Sequence, residues 1–161
     1  MNFLKLFFLS FSLFALLFVA QSFSAKTPIG TKTRLDSTAY FIYLPDAYWM
    51  SSTYSEKDSS GYFRIAPKQP DSINFSQIFI SFSGDKVART DYPSSNQFRF
   101  NDTILGLPVS VLERNTSVPH YRVRETLVPL QKGKYMNIKC RGKDSTEVRL
   151  LFNIVKTITK N

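Results

Sequence analysis

The chain has 161 residues, enough for one domain whose core needs no covalent staples. One cysteine, Cys140, and one histidine, His120, are too few for an intrachain disulfide or a zinc site built from Cys and His. Lys and Arg number 21 against 12 Asp and Glu, a formal net charge of +9, which suits either an anionic partner or a merely solvated basic surface.

Residues 1–24 have the form of a signal peptide. Lys5 supplies the positive start, Leu6 to Ala20 is an apolar run broken only by Ser10 and Ser12, and Ser22-Phe23-Ser24 offers small residues for cleavage. The run is shorter than the ~20 apolar residues of a spanning helix. No Cys lies near the cleavage region to take a lipid. The expectation is an exported protein, periplasmic or alternatively extracellular, with no stable membrane anchor after cleavage. Loss of Lys5 lowers the formal charge by one. Export argues against nucleic acid as a partner.

Residues 25–36 are polar, carry Pro28 and Gly30, and read as a flexible lead-in to a single α+β domain at 37–161. Ser37 to Leu44 is rich in β-formers and stops at Pro45-Asp46. Ala47 to Met50 continues apolar, with Trp49 expected to close the core. Ser51 to Ser60 is polar, and Tyr62 to Ala66 is a short strand closed by Pro67. Lys68 to Asn74 reads as a loop. Gln77 to Phe82 is the clearest central strand, with Ile78, Ile80 and Phe82 on one face. Val87 to Asn96 has turn chemistry throughout. Phe98 and Phe100 alternate in a short strand that stops at Asn101-Asp102, and Ile104 to Pro108 is a bend. Val109 to Glu113 and Tyr121 to Val128 are strands on either side of a turn at Asn115-Thr116-Ser117, and Lys132-Gly133 turns the chain again.

The closing stretch carries the strongest pattern. Tyr135 to Arg141 alternates strictly, with Met136, Ile138 and Cys140 on the apolar face. Cys140 therefore reads as a small buried hydrophobe. Asp144-Ser145-Thr146-Glu147 has the capping-box form, and Val148, Leu151, Phe152 and Val155 make one apolar helix stripe behind it. A half-buried strand feeding an amphipathic helix implies a sheet that the helix covers. The predicted fold is α+β: a single antiparallel sheet of about six strands with a C-terminal amphipathic helix packed on it.

The order of these elements resembles the PsbP-like and DcrB-type family over Tyr40 to Ile158. Leu44-Pro45-Asp46-Ala47-Tyr48-Trp49 is similar to the family's aromatic strand and Pro–Trp opening. Gly61-Tyr62-Phe63, Ile78 to Phe82, Leu105-Gly106-Leu107-Pro108 and the closing strand and helix follow in the family's order. The family includes extrinsic photosystem subunits, a Ran-binding nuclear factor, periplasmic lipoproteins, and small chaperones or immunity-like proteins of bacterial secretion. The resemblance implies a central antiparallel sheet flanked by helices, and binding without catalysis. The chain departs from the family in two places. Pro93 and serines stand where members carry a helix, and the lipoprotein members' anchoring Cys is missing.

No residue set names a reaction. His120 follows Pro119 without a G-x-S-x-G elbow or a second histidine, and the glycines do not form a phosphate loop. No catalytic residue, cofactor or metal is expected. The sequons at Asn74, Asn101 and Asn115 read as chance in a Ser/Thr-rich chain. The candidate protein-binding residues are Arg122, Arg124, Tyr135, Lys139 and Arg141. Arg and Tyr favour binding hot spots, and pairing of the last strands is expected to gather these five on one polar face. The expectation is an exported, non-catalytic binding protein: a periplasmic immunity, inhibitor or accessory protein that binds another protein. The alternatives are a small-ligand carrier holding an apolar molecule between sheet and helix, and a hydrolase using His120.

Overall fold

The computed structural model describes residues 30–36, 38–55, 60–69, 76–83, 97–116 and 121–161. Among them lie ten strands and one α-helix. The strands are β1 (Thr31–Arg34), β2 (Tyr40–Leu44), β3 (Tyr48–Ser55), β4 (Ser60–Pro67), β5 (Gln77–Ser83), β6 (Gln97–Ile104), β7 (Leu107–Asn115), β8 (Arg122–Pro129), β9 (Tyr135–Gly142) and β10 (Thr159–Lys160). The helix is α1 (Ser145–Val155), and a short 3-10 turn spans Gln131–Gly133. One sheet has the order β1-β2-β10, the other β3-β4-β5-β9-β8-β7-β6, and all the pairs are antiparallel.

Period-2 alternation gives the large sheet its two faces. Phe63, Ile65, Ile78, Ile80, Met136, Ile138, Cys140, Val111 and Val128 point inward and are fully buried. The register carries this face across the sheet: Phe63 opposes Ile80, Ile80 opposes Ile138, and Ile138 opposes Thr126. α1 packs on this face against β9, β8 and β5, and also meets β2. Val148, Leu151, Phe152, Ile154 and Val155 form its buried stripe. Leu35, Ile42 and Ile158, from the small sheet's side, join the same core. Burying such side chains contributes about 1.5–3 kcal/mol each, which is what holds the helix and the small sheet on the large one.

The start of α1 is tied by two side-chain-to-backbone bonds. The Glu147 N–H donates to the Asp144 carboxylate at 2.8 Å, and the Lys143 N–H donates to the Glu147 carboxylate at 2.6 Å. Just before them, Gly142 ends β9 directly beneath the helix. A Cβ there would stand 2.9 Å from the Val148 backbone nitrogen, so only glycine lets strand and helix approach this closely.

The expectation of a single sheet of about six strands is overturned. The described chain is mostly β, with ten strands in two antiparallel sheets plus one helix. The extra strands had no periodic signal to reveal them. β1 reads Thr-Lys-Thr-Arg, lies within the stretch expected as a lead-in, and exists through its pairing with β2. β10 is two residues long. The second half of β3, Ser51 to Ser55, is polar because it lies at a sheet edge, so it read as a loop. β2 was legible as a strand, but its sheet was not. A tight turn, with the Tyr48 N–H donating to the Pro45 carbonyl at 2.9 Å, carries the chain from the small sheet into the large one.

Residues 1–24, most of the lead-in, the loop from Val87 to Asn96 and His120 lie outside the described residues. Among the described residues, no helix is long and apolar enough to cross a membrane.

Candidate functional site

β8 and β9 pair as expected, but the register divides the five candidate residues between two faces. Arg124 opposes Cys140 and Arg122 opposes Gly142, so both arginines share the inner, helix-side face. Glu125 opposes Lys139, and Tyr135, Lys139 and Arg141 point the other way. The expected cluster of five is therefore corrected to two arginines inside and three residues outside. The error was one of phase. β8 mixes polar and apolar residues on both faces, so its alternation does not say which face is buried, whereas that of β9 does.

The inner arginines serve the core's margin. Arg124 Nε donates to Glu113 at 2.7 Å, and Arg122 Nη1 donates to the other oxygen of the same carboxylate at 3.0 Å. Glu113 is 6 % exposed, so its charge is compensated by this pair. The Arg124 guanidinium lies 5.0 Å from the Phe100 ring centre and 5.6 Å from that of Phe152, between strand and helix. Its planar, weakly hydrated head suits a place that a lysine ammonium would not.

The outer face holds a groove of about 740 Å³ across β4, β5, β9 and β8. Lys139 and Arg141 stand in it beside Tyr62, Phe79, Tyr121 and Asn137. The Arg141 guanidinium sits 4.3 Å from the Tyr121 ring centre, and Tyr62 and Phe79 pack with their centres 5.6 Å apart. Tyr135 shares the face, two residues along β9 from Asn137, but does not line the groove. Lys139 is half-exposed and bridges to Glu125 at 3.2 Å, and Arg114 reaches the same carboxylate at 3.1 Å.

One register row crosses the whole outer face: Arg99, Leu112, Glu125, Lys139, Phe79, Arg64, Ser51. Among the described residues registered there, Arg64, Arg99, Arg114, Lys139 and Arg141 are set against one carboxylate, Glu125. Trp49 also belongs to this face. It was expected to close the core, but it is 36 % exposed, donates its Nε1–H to the Pro67 carbonyl at 3.1 Å, and lies 5.7 Å from the Arg64 guanidinium. Sequence reasoning missed Tyr62, Phe79, Arg64 and Tyr121. Strict alternation of Phe63 and Ile65 with Tyr62 and Arg64 was the available signal for β4.

Cys140 is fully buried on the inner face, and burial pushes its thiol pKa well above the ordinary value, which keeps it protonated and unreactive at neutral pH. Among the described residues, no group of three or more His, Cys, Asp or Glu side chains stands together as a metal site. No family model, no curated protein and no solved structure matches the chain. The PsbP-like resemblance thus stands on the sequence motifs alone.

Proposed function

We propose that this is an exported, non-catalytic binding protein, periplasmic after removal of residues 1–24, which holds an acidic protein partner on the outer face of its large sheet. The observation that carries the reading is the groove in which Lys139 and Arg141 stand among Tyr62, Phe79 and Tyr121. Aromatic rings with arginine are the composition of binding hot spots, and a predominantly basic face steers an oppositely charged partner toward it. The resemblance to PsbP-like proteins points the same way, toward an immunity, inhibitor or accessory role.

Capture from native envelope extract tests the reading. The full chain, immobilised, is expected to recover a discrete acidic protein, with recovery falling as salt rises. Lys139→Glu with Arg141→Glu should lose it by about tenfold or more, the size of one or two hot-spot contacts. Equal recovery by the wild type and the double variant would overturn the assignment of the face.

A further inference from the structure

A separate cleft of about 880 Å³ opens between the two sheets, where the tip of the β6–β7 hairpin, the end of β8 and the start of β10 meet. Tyr40, Leu105, Leu107, Leu130 and Ile158 give it apolar walls. Its charged lining is Lys156 and Lys160, and no carboxylate side chain lines it among the described residues. Lys156 is held by Asp102 at 2.8 Å, whereas Lys160, opposite Tyr40 across the β10–β2 pair, is exposed. Leu107 is 37 % exposed, an apolar side chain left open to solvent.

The hairpin tip supplies a second observation. Ile104 pairs with Leu107, so Leu105 and Gly106 alone make the turn, with φ of +56° and +72°. Positive φ at both central positions is the turn for which Asn-Gly is the ordinary sequence. Gly106 fits it at no cost, but leucine resists the left-handed region. A leucine held there persists where its side chain is needed. Here that side chain packs at the margin of the core and forms a wall of the cleft.

We propose that this cleft binds a medium-chain fatty acid. The apolar tail lies against Leu105, Leu107 and Leu130, and the carboxylate meets the Lys160 ammonium. Among the described residues that line the cleft, the charged side chains are both lysines, and Lys160 favours an anionic head over a positive one. The cleft shares no described lining residue with the outer groove.

Calorimetric titration of the full chain with dodecanoate, and with dodecyltrimethylammonium as its cationic counterpart, tests the proposal. Dodecanoate is expected to bind with one-to-one stoichiometry and the cation is not. Leu105→Asn supplies the residue the turn prefers and gives up apolar packing at the core's margin, so the melting temperature should change little while dodecanoate weakens by about tenfold, the size of one lost leucine contact. Lys160→Glu, at an exposed position that leaves the fold intact, should weaken dodecanoate and admit the cation. If Leu105→Asn fails to fold, Lys160→Glu carries the test alone. No binding of dodecanoate by the wild type, equal binding of both detergents, or unchanged binding in Lys160→Glu would each overturn the proposal.

Discussion

Burial alone would push the Asp102 carboxyl upward, but the Lys156 ammonium, with the Thr103 N–H and the nearby Arg124, outweighs it and holds the pKa below the ordinary carboxylate value. The bond from Lys156 at 2.8 Å pins the end of α1 to β6, at the lip of the cleft. A carboxyl depressed in the folded state contributes stability above its unfolded pKa and loses it as pH falls through the folded one. Urea midpoints of wild type and Lys156→Met should therefore differ near pH 7 and converge as pH falls below the ordinary carboxylate range. A difference that persists at low pH would mean that Lys156 acts through packing and not through this pair. The side chains are partly exposed, so the difference should be small.

α1 is the element whose anchoring can be read most directly. Phe152 is 1 % exposed, sits in the core between the two sheets, and offers its ring to Arg124. Phe152→Ala removes that volume and the ring together, and is expected to cost about 3–5 kcal/mol in denaturant melts. A loss under about 1 kcal/mol would mean that the helix is not held by this stripe. The hairpins show a different kind of control. At Leu105-Gly106 and at Lys132-Gly133 the backbone takes positive φ at two successive residues, so turn geometry sets the register of β6 with β7 and of β8 with β9.

Across the whole molecule, two members of one apparent basic patch should differ in what their loss costs. Arg124→Ala leaves Glu113 buried with the half-exposed Arg122 as its remaining ion-pair partner, and is expected to cost about 3 kcal/mol. Lys139→Ala breaks an outer bridge to Glu125 and should cost less than about 1 kcal/mol. Urea titration of the two variants checks this, and similar losses would contradict the assignment of the arginine to the inner face. The same division explains how a strongly basic chain keeps a stable interior. Arg124 is compensated by Glu113 on the inner face, while Lys139 and Arg114 share Glu125 on the outer one.

The closing strand and helix were legible because each carries a complete local code. Met136, Ile138 and Cys140 alternate, and Val148, Leu151, Phe152 and Val155 repeat at helical spacing behind Asp144, so side-chain period alone determines buried face and element type. The Gln77 to Phe82 strand was legible for the same reason. The partition into two sheets was not, because β1, β10 and Ser51 to Thr53 of β3 bury little of their own and are defined by backbone bonds to other strands. Sequence likewise supplied Lys139 and Arg141 as candidates, but could not bring Tyr62, Phe79 and Tyr121 to them or send Arg122 and Arg124 to the opposite face. Composition sets how much charge and aromatic surface a chain carries. Register, a long-range property of paired strands, decides which of those side chains meet, since a shift of one residue exchanges the faces of a strand.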